Sequence, residues 1–143
     1  MSSANEVEHK LLLAMMQFGA ASRAESATEK LPAYLTVLET LLAREEGETN
    51  KRPEKIARRL STSDDTANRA NLEERLTHLY DLRRRPVHFG YRTFRGVEVI
   101  PEYAVEQSKI LSYLAIRLVL DADSNLQTHD ALLARLDAKA LGR

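Results

Sequence analysis

Apolar residues recur at spacings of three and four along most of the chain, which is the period of an amphipathic α-helix. Six stretches with this period are predicted as helices: residues 6–21, 29–44, 53–60, 66–85, 101–121 and the stretch after Thr128. Pro32 fits only the first turn of the second helix, because proline lacks the N–H that a later turn uses. Thr128 is the predicted N-cap of the last helix. The pattern therefore predicts an all-α fold, a bundle of five to six helices.

The segment from His88 to Pro101 does not follow the helical period. Three aromatic residues are crowded into its first half: Phe89, Tyr91 and Phe94. After Gly96, valines alternate with other residues, as they do in short strands. This pattern predicts either a long aromatic loop or a short hairpin after the fourth helix.

The first helix carries more apolar residues than one buried face requires. Val7, Leu11, Ala14, Met15 and Phe18 form its main stripe, which Leu12, Leu13 and Met16 extend almost round the helix. Such a helix is either buried on most sides or shares a face with a second subunit.

The length and composition of the chain limit its class. With 143 residues and 43% apolar residues, the chain is predicted to form a single domain over residues 1–143. It has no cysteine, which excludes disulfides and thiolate zinc sites and favours a reducing cytoplasm. The longest apolar run, Leu11 to Met16, is too short to span a bilayer. We therefore expect a soluble cytoplasmic protein with no membrane partner.

The net charge of zero conceals an uneven distribution. The segment from Lys51 to Arg95 carries twelve Lys and Arg residues against six acids, a net charge of +6 that the rest of the chain balances. This distribution indicates either a face for a polyanion or two parts of the chain that pair with each other. Arg92 and Arg95, interleaved with Tyr91, are typical of sites where bases stack on aromatic rings beside cations that bind the phosphate backbone. A loop that covers the core is an equally good interpretation of these residues.

Arg83 and His88 are the main candidates for chemistry. Arg83 follows Leu72, Leu76 and Leu79 on the apolar stripe of the fourth helix, where a guanidinium requires a carboxylate, a phosphate or another subunit. RNA carries its own 2′-hydroxyl nucleophile, so no metal is strictly required: His88 would serve as general base or acid and Arg83 would hold a phosphate oxygen. One histidine cannot easily perform both proton transfers. The structural alternative is an ion pair between Arg83 and Glu39 inside the bundle. The remaining histidines are predicted to be exposed and have no metal-ligand spacing: His9, His78 and His129.

Three segments resemble the Apea-like branch of the HEPN superfamily of helical nucleic-acid-processing domains. They are Leu31 to Leu42 around Glu39, the basic helix Ile56 to Leu60, and Leu79 to Gly90 with its Arg83-x-x-x-x-His88 signature. The resemblance covers about residues 8–120, which leaves an extra C-terminal helix over 125–141. The resemblance implies a HEPN-like helical bundle. It also implies a metal-independent endoribonuclease that uses no cofactor, of a kind found in toxin or phage-defence systems.

The resemblance also implies a set of site residues and partners. HEPN domains typically form homodimers with a composite site, so two copies of Arg83 and His88 would act together on RNA. Glu39, Tyr80 and Asp81 would support them. Apart from the resemblance, the arginine cluster and the aromatic composition of the following segment indicate further RNA contacts: Arg84, Arg85, Arg92, Arg95 and Tyr91. An antitoxin or regulatory protein is a further expected partner. Arg84 stands where the family commonly has a small polar residue, which leaves a non-catalytic RNA-binding or protein-interaction module as the alternative.

Overall fold

A computed structural model of the chain describes residues 5–44, 53–61, 66–84, 93–94, 97–98, 100–122 and 125–140. Its helices are α1 (Glu6–Arg23), α2 (Ala27–Leu42), α3 (Pro53–Leu60), α4 (Thr66–Arg84), α5 (Glu102–Leu120) and α6 (His129–Ala140). Two short strands, β1 (Thr93–Phe94) and β2 (Val97–Glu98), pair antiparallel, with Thr93 opposite Glu98 and Phe94 opposite Val97. The predicted all-α bundle is confirmed, and the rest of the aromatic segment lies outside the described residues.

Short polar side chains set the starts of three helices. The Asn5 side chain accepts the N–H of Glu8 at 2.7 Å, and Ser26 accepts that of Glu29 at 3.2 Å. The predicted cap at Thr128 is confirmed, since its hydroxyl accepts the N–H of Ala131 at 3.1 Å. These bonds satisfy backbone donors that have no partner within the helix.

The prediction that Pro32 lies in the first turn of its helix was wrong. Because Ser26 caps α2, the helix begins at Ala27 and includes Pro32 beyond its first turn. The carbonyl of Pro32 accepts the Thr36 hydroxyl at 2.9 Å. Packing of the α2 leucines therefore holds the helix together despite the missing backbone donor.

Helix α2 forms the centre of the bundle. Five of its leucines are completely buried: Leu31, Leu35, Leu38, Leu41 and Leu42. Helices α1 and α5 both pack on α2 and contact each other, while α3 packs against α4 and α6. Small residues dominate the face of α5 that is buried, with Ala104, Ser108, Ser112 and Ala115 all fully covered. They allow α5 to approach α2 closely.

The first helix is not buried on most sides. Its buried residues are Val7, Ala14 and Ala21. In contrast, Leu12, Leu13, Met15 and Met16 are 60%, 47%, 48% and 71% exposed. The alternative of a fully buried helix was wrong, because contacts with α2 and α5 cover only one side of α1.

Candidate functional site

Arg83 and Glu39 form an ion pair that joins α4 to α2. The Arg83 Nη1 atom donates to Glu39 Oε1 at 2.9 Å, and the two side chains are 16% and 15% exposed. Arg83 reaches this position because it continues the stripe of Leu76 and Leu79, which are both fully buried. In such a partly dry environment a charge-assisted hydrogen bond is stronger than it is in water. The predicted phase of Arg83 and its structural pairing with Glu39 are both observed.

Tyr80 lies beside this ion pair as an aromatic platform. The carbon at the centre of the Arg83 guanidinium is 4.7 Å from the Tyr80 ring centroid, which is within the range of a cation–π interaction. Tyr80 is completely buried, and its hydroxyl has no hydrogen-bond partner among the described residues. Burial raises the pKa of the Tyr80 phenol, the charge of Glu39 raises it further, and Arg83 opposes them. The phenol is therefore neutral at physiological pH and cannot act as a base.

Asp81 does not join the cluster. It is two residues before Arg83, about 200° round the helix, so the two side chains leave α4 on opposite sides. Asp81 is half-buried in a separate groove of α4 that Glu74, Thr77 and His78 also line. The structure thus brings together Glu39, Tyr80 and Arg83 and leaves out Asp81.

The remaining sequence-predicted site residues cannot be placed. His88, Arg85, Tyr91, Arg92 and Arg95 lie outside the described residues. Arg84 is the last residue of α4, and its side chain also lies outside the description. The structure accordingly positions the arginine half of the candidate site, whereas the histidine half rests on the sequence.

The geometry of Arg83 fits two roles. A guanidinium has five N–H donors, so one that bonds to Glu39 can still present its other edge to a phosphate oxygen. Glu39 would then orient the guanidinium while Tyr80 supports its face. The same contacts also satisfy an arginine that only joins two helices. Among the described residues, the contacts of Arg83 are therefore compatible with both the catalytic and the structural alternative.

A second buried arginine was missed in the sequence. Arg59 of α3 is only 2% exposed and makes a bidentate ion pair with Asp137 of α6, at 2.9 and 3.3 Å. It also donates to the Leu42 carbonyl at 2.7 Å, at the end of α2. Its position three residues after Ile56 places both on one face of α3, which was the available signal. This contact joins three helices and is structural.

The prediction that the other histidines are exposed holds only for His9. His78 is half-buried and lies parallel to Tyr103, with Nε2 2.8 Å from the Tyr103 hydroxyl. His129 is 4% exposed, and its Nε2 donates to the Leu41 carbonyl at 2.9 Å. The prediction for His129 was wrong because a backbone carbonyl and the end of α2 cover its ring. Burial lowers the pKa of His129, and the hydrogen bond to Leu41 partly opposes this.

The stability of the fold should depend on the protonation of His129. Since its pKa is lowered on folding, neutral His129 stabilises the protein fully above about pH 6.5, and this contribution is lost as the pH falls. Urea unfolding between about pH 7.5 and pH 5 should show a steeper loss of stability in the wild type than in His129→Gln. Glutamine can donate to the Leu41 carbonyl and does not titrate. Parallel curves for the two proteins would contradict this assignment.

In the part of the chain that the structure describes, every helix is too short or too polar to cross a bilayer. Within the same residues, no group of three or more His, Asp or Glu side chains is placed to hold a metal ion. Comparison of the chain with protein-family models, with curated proteins and with solved structures finds no match. The candidate site is therefore interpreted from its own residues and geometry.

Proposed function

We propose that the chain is a metal-independent endoribonuclease of HEPN type, acting as a homodimer with a composite site. The observation that carries the proposal is the position of Arg83, five residues before His88 in the sequence. Its guanidinium bonds to Glu39 at 2.9 Å and lies over the Tyr80 ring, 4.7 Å from the ring centroid. An oriented guanidinium in the last turn of a helix, with a histidine five residues later in the sequence, supplies the groups that RNA transesterification needs.

The proposed reaction uses the 2′-hydroxyl of RNA as the nucleophile. His88 of one copy accepts its proton, and the oxygen attacks the adjacent phosphorus. Arg83 stabilises the negative charge that develops on the phosphate oxygens. His88 of the second copy donates a proton to the departing 5′-oxygen. Two copies are required because a single histidine cannot easily perform both transfers in one step. The products are a 2′,3′-cyclic phosphate and a 5′-hydroxyl.

This proposal is tested by incubating the protein with a fluorescent single-stranded RNA in EDTA. We expect cleavage of the RNA, and no cleavage of DNA of the same sequence, because DNA lacks the nucleophile. A double variant, Arg83→Ala with His88→Ala, purified in parallel, controls for contaminating nucleases. RNA that remains intact with wild-type protein would contradict the proposal.

A second candidate function is a non-catalytic HEPN module that binds RNA. Arg84 favours it, because an arginine stands where the family commonly has a small polar residue, and the pairing with Glu39 also satisfies an Arg83 that only joins two helices. Such a module would show salt-sensitive RNA binding that survives His88→Ala and weakens when residues 83–85 are neutralised. The toxin or phage-defence setting and an antitoxin partner also belong to the proposal, and they follow only from the family resemblance.

A further inference from the structure

A groove separates α5 from α6. Both helices contact α3 but barely contact each other, and a cavity of about 430 Å³ lies between them. This volume falls within the range of small-molecule sites, roughly 300–1,000 Å³. Nine described residues line the cavity, whereas a stable protein interface uses about 20–30 residues on each side. The size of this α5–α6 groove therefore fits a small molecule better than a protein partner.

Most of the lining of the α5–α6 groove is apolar. Six of the nine lining residues are Leu60, Leu114, Leu118, Ala122, Leu132 and Leu136. Leu60, Leu132 and Leu136 are almost completely buried and form the floor, while Leu114 is 45% exposed at the edge. Free energy is gained when an aliphatic chain displaces the water that contacts such a surface. The groove is therefore suited to a hydrocarbon chain.

The other three lining residues are charged, and two of them are cations. Arg135 and Lys139 lie one turn apart on α6, and both are exposed. Within the described residues, neither cation forms an ion pair or a hydrogen bond. Like charges at this spacing repel each other. The third residue, Asp121, lies 3.8 Å from Arg117. An anion bound to Arg135 and Lys139 would remove the repulsion between them.

We propose that the α5–α6 groove binds a single-chain fatty acid as its carboxylate. The aliphatic chain lies against the leucine floor, and the carboxylate bonds to Arg135 and Lys139 at the rim. The rim carries two positive side chains and one negative side chain, Asp121, which matches a head group with a single negative charge. A phosphate monoester, with a charge of about −1.5 to −2 at pH 7, matches this rim less well.

This site is independent of the proposed ribonuclease function. The described residues that line the groove belong to α3, α5, α6 and the segment after α5. None of them belongs to α2 or α4, the helices that carry Glu39 and Arg83. Fatty-acid binding is therefore measured without RNA, and its outcome does not decide whether the protein cleaves RNA.

The first experiment compares three ligands by isothermal titration calorimetry at pH 8, each below its critical micelle concentration. Dodecanoate should bind to the wild-type chain with one molecule per chain. Hexanoate has the same head group and a shorter chain, so it should bind at least about tenfold more weakly. Dodecyltrimethylammonium has the same chain and a positive head group, and it should also bind at least about tenfold more weakly.

The second experiment removes the two cations. The double variant Arg135→Gln with Lys139→Gln should raise the dissociation constant of dodecanoate about tenfold, because two exposed ion pairs are lost. The matched control is Arg75→Gln with Lys109→Gln, which removes two exposed cations that do not line the groove. This control should bind dodecanoate as the wild type does. All four side chains are exposed, so the core is unchanged, and circular dichroism checks that each variant is folded.

A pair of apolar substitutions tests where the chain of dodecanoate lies. Leu114→Gln should raise its dissociation constant at least about threefold, because apolar contact in the groove is lost. Met16→Gln is the matched control, since Met16 is 71% exposed and lies on α1, outside the groove. A larger loss for Met16→Gln would show that dodecanoate binds any exposed apolar surface and would overturn the site. Absence of dodecanoate binding, equal binding of dodecyltrimethylammonium, or equal losses for the two double variants would each overturn it as well.

Discussion

Replacement of His88 by alanine is expected to lower the rate of RNA cleavage by about 10²–10⁴-fold, the contribution typical of a general acid or base. In a symmetric dimer the substitution removes both proton-transfer groups from each composite site. RNA binding should change little, because Arg83 and its neighbours remain. Single-turnover cleavage of a fluorescent RNA in EDTA measures the rate, and a binding titration at the same salt concentration measures affinity.

His9→Ala is the matched control for this variant, since His9 is an exposed histidine on α1. It should cleave at the wild-type rate. If His88→Ala cleaved as fast as the wild type, His88 would have no catalytic role and the proposed reaction would fail. Loss of both cleavage and binding would instead assign His88 to the binding of RNA.

Removal of the carboxylate of Asp137 is expected to produce the largest loss of stability. Asp137→Ala removes the carboxylate that pairs with the guanidinium of Arg59, a side chain that is 2% exposed. Breaking a buried ion pair in this way typically costs about 3–5 kcal/mol. We expect a loss of about 3 kcal/mol, the lower end, because Asp137 is itself 32% exposed and water can partly replace it. Urea unfolding followed by circular dichroism measures the change.

The same helix offers a control for the Asp137 prediction. Asp130 pairs with Arg44 at 2.6 Å, but the two side chains are 83% and 43% exposed. Asp130→Ala should therefore cost less than about 1 kcal/mol, as exposed ion pairs do. Equal losses of stability for Asp137→Ala and Asp130→Ala would contradict the assigned role of Arg59 in joining α3, α6 and the end of α2.

The helices could be predicted from the sequence because apolar periodicity is a local property. The predicted bounds of residues 53–60 agree with α3, and the other helix ends differ by a few residues. On α5 the large apolar residues do not mark the core face, since Tyr103, Ile110 and Leu114 are exposed whereas Leu111 is buried. The core face of α5 contains alanines and serines, which are less hydrophobic than the large residues of its outer face. The periodicity of hydrophobic residues therefore does not identify the face that is buried.

The part of the candidate site that could be predicted is the part that depends on the helical phase of the sequence. The phase of Leu76 and Leu79 placed Arg83 on the buried side of α4 and required a partner for its charge. The burial of Arg59 and His129 was missed because it depends on α2 carbonyls and on Asp137, which only the tertiary fold brings near. A polar side chain can be buried when groups distant in the sequence supply its hydrogen bonds or its opposite charge. A local sequence pattern does not show which distant groups will lie near it.

The composite ribonuclease site is tested most directly by the ends of the RNA that wild-type protein produces in EDTA. Mass spectrometry of the fragments should show a 2′,3′-cyclic phosphate on the upstream product and a 5′-hydroxyl on the downstream product. Both ends require attack by the 2′-hydroxyl, the step that His88 and Arg83 are proposed to promote by proton transfer and charge stabilisation. Intact RNA, or fragments with a 3′-hydroxyl and a 5′-phosphate, would contradict the account.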